Sequence, residues 1–279
     1  MDLFVIERLR EGGVRESMRI NYKNIFSVMK KNIFSALAVC LMLIGCRTGN
    51  EQNKQENQHA EAQYFVNITD VVPDAILEIR YFGTYNFVGT RIDGYLQPTA
   101  LLLREAADSL RAVSEDLKSQ GYRLKIYDAY RPQRAVDHFV RWGKDLNDTL
   151  MKSYFYPNEM KDSLFIKEYI ATQSGHSRGA TLDLTIFDMR TEKEVDMGGT
   201  FDWFGKERHP TCGGDPETGT YRPNDTITAQ QFANRMILRK AMLSHGFKPY
   251  ECEWWHFTLK NEPFPDTYFD LPIKELEKQ

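Results

Sequence analysis

The chain has 279 residues, 42% of them hydrophobic and 27% charged, with a formal net charge of -3. That is an ordinary globular balance, and it gives no electrostatic footprint for nucleic acid. The length allows one or two domains.

The first segment does not read as domain. Met29-Lys30-Lys31 is a short basic region ahead of an apolar run from Ile33 to Ile44. That run is too short to span a bilayer but suits the core of a secretory signal. It ends in Leu43-Ile44-Gly45-Cys46, which resembles the bacterial lipoprotein signal, where cleavage precedes a lipid-bearing cysteine. Cys46 is then the lipidation site, Met29 the initiator, and residues 1–28 an upstream, non-native extension. From 47 to 63 the chain is rich in Asn, Gln and Glu with few large apolar residues, the composition of a flexible linker. A single domain is expected over 64–279.

Within it, Val66 to Tyr81 alternates around Pro73 and predicts strand, turn and strand. Gly83 to Gln97 reads as a long loop able to cover a cleft. Thr99 to Gln120 carries apolar residues at helical spacing and ends before Gly121, which predicts a helix. Arg123 to Tyr127 predicts a strand, and Pro132 in Tyr130-Arg131-Pro132-Gln133-Arg134-Ala135 opens a helix running to about Trp142. A proline in that place pushes Arg131 into an extended conformation at a strand-to-helix junction. Glu159 to Ala171 reads as helix, Thr181 to Phe187 as strand, and Glu207 to Asp225 as an irregular loop. Thr228 to His245 predicts a capped helix, Glu253 to Leu259 a strand, and the residues from Asn261 onward a proline-broken tail that fades into charge. Interspersed helices and strands without regular alternation predict an α+β fold with an antiparallel central sheet.

The chemistry gathers in two stretches. Ser174-Gly175-His176-Ser177-Arg178-Gly179-Ala180-Thr181-Leu182-Asp183 places a histidine and a carboxylate on either side of a glycine turn that leads into a strand. Glu253-Trp254-Trp255-His256 adds a second such pair. A catalytic zinc uses three protein ligands and keeps a fourth position for water, so His176, Asp183 and His256 are the expected set, for one zinc ion per chain. Glu253 is the expected general base, which requires a bend because strand residues three apart face opposite sides. Arg131 supplies fixed positive charge for the oxyanion. Gly175-His176-Ser177-Arg178-Gly179 also matches the nucleophile elbow of serine hydrolases. That elbow runs from strand to helix; here a helix is expected before the serine and a strand after it, the reverse order.

These motifs, with Tyr130-Arg131-Pro132 and Met197-Gly198-Gly199-Thr200-Phe201-Asp202, resemble the VanX-type D-alanyl-D-alanine dipeptidases. The similarity runs from about Val71 to Ile273. It implies the zinc-peptidase fold shared with D-alanyl-D-alanine carboxypeptidases and the hedgehog signalling domain. It places the ligands on His176, Asp183 and His256, the base on Glu253 and the transition-state arginine on Arg131. It adds Asp202 as the partner of the substrate amine and Ser174 as a substrate contact. The implied activity is hydrolysis of D-alanyl-D-alanine in cell-wall turnover, the alternative being a carboxypeptidase or endopeptidase acting on longer stem peptides.

The leader departs from cytoplasmic members and implies an exported enzyme in the cell envelope, attached to membrane through its lipid anchor only, with a small dipeptide and no nucleic acid as partner. In such a compartment Cys212 and Cys252 form a disulfide or remain as two buried thiols. Oligomeric state is not legible in the sequence.

Overall fold

The structure is a computed structural model that describes residues 60–277. The leader, Cys46 and the linker up to residue 59 therefore lie outside the described residues. Residues 60–62 are helical and Ala62 packs against the core, so packing begins before Tyr64.

The elements in chain order are β1 (Phe65–Asn67), α1 (Ile68–Val71), β2 (Ile76–Leu77), β3 (Leu101–Leu103), α2 (Arg104–Ser119) and β4 (Tyr122–Asp128). Then come α3 (Gln133–Lys144), α4 (Lys152–Phe155), β5 (Thr181–Asp188), β6 (Lys193–Glu194), β7 (Gly214–Asp215) and β8 (Thr220–Tyr221). The last three are α5 (Ala229–Ser244), β9 (Phe247–Tyr250) and β10 (Glu253–Leu259). The fold class is α+β.

The central sheet runs β2-β4-β5-β10-β9, with β6 paired to β5. It is mixed, which corrects the expectation of a purely antiparallel sheet: β2 pairs in parallel with β4. β2 reaches that edge across the α2 region rather than through a hairpin, and a non-local connection of this kind permits parallel pairing. Within the run β4-β5-β10-β9 each adjacent pair is antiparallel. Helix α2 packs against β4 and α5, and α5 against β9. Thr228 caps α5 through a reciprocal capping box with Gln231.

One expected helix begins later than its spacing suggests, and another does not form. Leu101–Leu103 is strand, not the first turn of α2: all three leucines are fully buried and pair with β1. Glu159 to Ala171 forms only a single 3-10 turn at Lys161–Ser163 and irregular structure beyond it. There Leu164 is buried, Tyr169 stacks on Phe204, and Glu168 adopts φ +58°, so side-chain packing overrides local helical spacing.

The tail is also more than a fading end. Phe269 N–H donates to the Ser177 carbonyl at 2.8 Å, and Gln133 N–H donates to the Phe269 carbonyl at 3.0 Å. Arg134 grips both Asp270 carboxylate oxygens at 2.8 and 2.7 Å. Ile273 pairs with Tyr95, and its N–H donates to the Gly94 carbonyl at 2.8 Å. Phe269, Leu271 and Ile273 are buried.

Candidate metal centre and substrate cleft

Position Asp183 organises the site. On the sheet it is the register partner of Asp128 on β4 and of His256 on β10. Three chemically active side chains thus form a row across adjacent strands. The β4–β5 register shifts between Ile126 and Asp128, which brings Asp128 into that row.

His176 arrives from the turn before β5. Ser174 caps the one-turn 3-10 helix Gly175–Arg178, its hydroxyl accepting from His176 N–H at 3.3 Å. Gly179 ends the turn at φ +81°, and a Cβ there would stand 2.8 Å from Phe65 and 2.9 Å from Leu103. Only glycine meets both demands. The His176 Nδ1 lies 2.7 Å from the Ala129 carbonyl, so that nitrogen carries the hydrogen and donates. Its Nε2 is left with a lone pair facing the cleft.

The donor geometry fits a metal. His176 Nε2 is 3.2 Å from Asp183 Oδ2, and His256 Nδ1 is 3.2 Å from Asp183 Oδ1. The two imidazole nitrogens are 3.3 Å apart. Tetrahedral zinc with ligands at about 2.0–2.1 Å requires donor separations of roughly 3.3 Å. Asp183 Oδ1 is buried with no hydrogen-bond donor aligned on it, the state of an atom that a cation would satisfy. Burial alone would raise the Asp183 carboxyl, but the facing His176 and His256 rings outweigh it and hold Asp183 below the ordinary carboxylate range. Among the described residues these three form the group able to hold a metal ion.

Glu253 stands at the start of β10, paired with Tyr250, and the β9–β10 register shifts between Glu253 and Phe257. This bulge lets Glu253 and His256 face the same space although three positions separate them. Glu253 Oε2 lies 3.4 Å from His256 Nδ1.

Arg131 sits before Pro132 at the β4–α3 junction. Its N–H donates to the His176 carbonyl at 3.3 Å. Its Nε donates to Asp128 Oδ2 at 2.8 Å, and its Nη2 reaches the same oxygen at 2.8 Å. The guanidinium lies over the Tyr81 and Phe139 rings and 3.6 Å from Asp183 Oδ2. Asp128 is fully buried, and Tyr95 donates to its other oxygen at 2.6 Å. A buried carboxylate thus clamps the arginine from behind and leaves its charge directed into the cleft.

Asp202 approaches from the opposite wall. It is buried, adopts φ +61°, and both its oxygens accept from the Tyr81 hydroxyl, at 3.2 and 3.0 Å. A left-handed aspartate is strained backbone of the kind that recurs at functional sites. Burial pushes the Asp202 carboxyl well above its ordinary value; Asp183 and Glu253 add to that, and Arg131 opposes it. A cation arriving beside it would favour the ionised carboxylate and pair with it.

Arg131, Ser174, His176, Asp183, Asp202, Glu253 and His256 all line one cleft of about 390 Å³. That volume lies at the small end of ligand pockets, which run from about 300 to 1,000 Å³. Tyr81, Tyr169 and Tyr250 line it too. No sequence motif marks these, nor Asp128 or Arg208. Asp128 had one local signal, a carboxylate three residues before an arginine at a strand end.

The disulfide between Cys212 and Cys252 is corrected: both are free thiols. Cys212 points into a small cluster with Ile227 and Phe232, its sulfur 2.9 Å from the Thr226 hydroxyl. Cys252 sits in the β9–β10 turn, close to the Tyr250 side chain. The serine-hydrolase elbow is also unsupported by the backbone, because a strand follows the fully buried Ser177.

Two histidines and a carboxylate at metal-binding distances, beside a second carboxylate and a clamped arginine on an α+β sheet, define a hydrolase site of the metallopeptidase type. Comparison with known proteins is specific. The family described as D-ala-D-ala dipeptidase, Peptidase_M15, matches residues 61–274, and the chain belongs to it. A D-alanyl-D-alanine dipeptidase of Streptomyces coelicolor is 38% identical over 209 residues, covering 75% of this chain and 98% of that protein. Proteins of the same name from Enterococcus faecium and Enterococcus faecalis are 35% and 36% identical, each covering 75% of this chain and 98% of the relative.

Proposed function

We propose that this peptidase hydrolyses D-alanyl-D-alanine to two D-alanines with one zinc ion held by His176 Nε2, Asp183 and His256 Nδ1. The observation that carries the reading is two imidazole nitrogens 3.3 Å apart, each 3.2 Å from a different oxygen of the Asp183 carboxylate, with Glu253 Oε2 3.4 Å from His256 Nδ1. Zinc held by these residues would supply Lewis-acid chemistry and acidify the attacking water. Glu253 takes the proton of the attacking water and delivers it to the departing amine. Arg131, held by Asp128, places positive charge where the carbonyl oxygen becomes an anion. Asp202 pairs with the substrate ammonium, and the Ser174 hydroxyl hydrogen-bonds the dipeptide. A carboxylate deep in a small cleft recognises a free amine one residue from the scissile bond, so it selects dipeptides over longer stems.

The test is zinc removal and restoration, with D-alanyl-D-alanine and a stem pentapeptide offered side by side. Activity on the dipeptide that disappears with chelator and returns with zinc supports the reading. Faster cleavage of the pentapeptide would overturn the dipeptidase assignment, and full activity in His176→Ala would overturn the metal assignment.

We propose further that the protein is exported and lipid-anchored in the cell envelope through Cys46, where it would act on dipeptide released by wall turnover. This rests on the Met29 to Cys46 sequence alone. The mass of the native N-terminal peptide tests it: an unmodified Cys46 would refute it.

A further inference from the structure

Arg208 has no part in the mechanism above, yet its position is costly. It ends the one-turn 3-10 helix Lys206–Arg208, is only 4% exposed, and its Nε has no hydrogen-bond partner. Burying a guanidinium without good hydrogen bonds is unfavourable unless a counter-charge compensates. The acidic neighbour in ion-pair range is Glu253, whose Oε1 lies 3.7 Å from Arg208 Nη1. The other Glu253 oxygen, Oε2, is the one turned toward His256. The two oxygens are therefore divided between an arginine and the metal centre.

The arginine itself is held on several sides. Its guanidinium lies 4.0 Å above the Tyr169 ring, which stacks on Phe204 at 4.6 Å and 11° between planes. The backbone around it is pinned by Arg235, which donates to the Met197, Glu207 and His209 carbonyls at 2.6, 2.7 and 3.1 Å. Glu207, next in sequence, is turned away, accepting from Trp203 Nε1 at 2.8 Å. A rigid cation thus faces a glutamate that sits on a bulge and is itself partly exposed.

We infer that Arg208 is a positioning residue for the proton-transferring carboxylate: it draws Glu253 Oε1 outward and so aims Oε2 at the reacting water. The inference rests on the assignment of Glu253 as the base. An unanchored glutamate on a bulge samples several rotamers, few of which face the reacting water. Misplacement of a catalytic group by about 1 Å costs on the order of 10²-fold in rate.

The experiment measures kcat, KM and zinc content on D-alanyl-D-alanine for Arg208→Met and Arg208→Lys, each in the parent and in Glu253→Gln. Arg208→Met is expected to lower kcat by about 10–100-fold with KM within about threefold and zinc retained. Arg208→Lys keeps the charge and should recover part of the loss. In Glu253→Gln neither change should lower the residual rate further, because the group they act through is already gone. Equal fold-losses in both backgrounds, or a raised KM with unchanged kcat, would overturn the inference. If Arg208→Met does not fold, the lysine variant in the two backgrounds makes the same comparison. Full activity of Glu253→Gln by itself would instead overturn the base assignment, and the role of Arg208 with it.

Discussion

Glu253 Oε2 and His256 Nδ1 lie 3.4 Å apart although they are three residues apart on one strand, and the bulge at the start of β10 makes that possible. The two side chains share a space but, in the proposed mechanism, not a task. One can be altered without the other.

Glu253→Gln is nearly isosteric and cannot accept a proton. It should keep full zinc and lose on the order of 10²–10⁴-fold in kcat. His256→Ala should instead lose the metal, because two remaining ligands hold zinc poorly. Zinc content and steady-state rates measured together separate the two outcomes. A fully active Glu253→Gln enzyme would leave the mechanism without its base.

Tyr81→Phe removes the donor to both Asp202 oxygens and leaves the ring under Arg131. A lost hydrogen bond to a charged group costs about 1.5–3 kcal/mol, so KM should rise roughly tenfold or more with kcat less affected. Asp202→Asn should raise KM further and narrow the preference for dipeptides over longer peptides. An unchanged KM in both variants would remove Asp202 from substrate capture.

Zinc uptake should release a proton. In the metal-free protein burial lowers the His256 pKa, but the Asp183 and Glu253 carboxylates, 3.2 and 3.4 Å from its Nδ1, outweigh it and raise it to about 9. At pH 7 the apoprotein ring is therefore protonated, and zinc must displace that proton. Affinity should rise as pH climbs toward 9 and level off above it. Titration of zinc into apoprotein in buffers of different ionisation enthalpy counts the protons; none released at pH 7 would contradict this.

Both thiols should titrate. Residues 60–279, unfolded without reductant, are expected to give two reactive thiols, from Cys212 and Cys252, and Cys252→Ser should leave thermal stability unchanged within about 0.5 kcal/mol. Absence of free thiol would restore the bridge.

The candidate metal centre was legible in sequence because its three side chains lie in two short stretches, each with a recognisable local geometry. His176 and Asp183 flank a glycine that must be left-handed, and the strand that follows is strongly apolar. Glu253 required a bend, and the bend is a bulge. Asp128, Tyr81 and Arg208 were not legible as site residues, because each acquires its role from a partner distant in sequence. Tyr81 meets Asp202 across 121 positions, and Arg208 meets Glu253 from a loop with no periodicity. The helical start expected at Thr99 and the helix expected at Glu159 failed for a related reason. Apolar spacing reports that side chains are buried, while the partner they are buried against decides strand, turn or helix.

The C-terminal strap marks where the site ends as a transferable piece of chain. Its bonds to Ser177, to the start of α3 and to the Gly94 loop run through Phe269, Asp270 and Ile273. Family similarity stops at residue 274, one position beyond the last of these three. A graft, fusion or minimal fragment cut after β10 would carry every metal ligand and still lack the seam that closes the ligand turn. One cut within 261–268 in the intact protein would open that same seam without removing a single catalytic group.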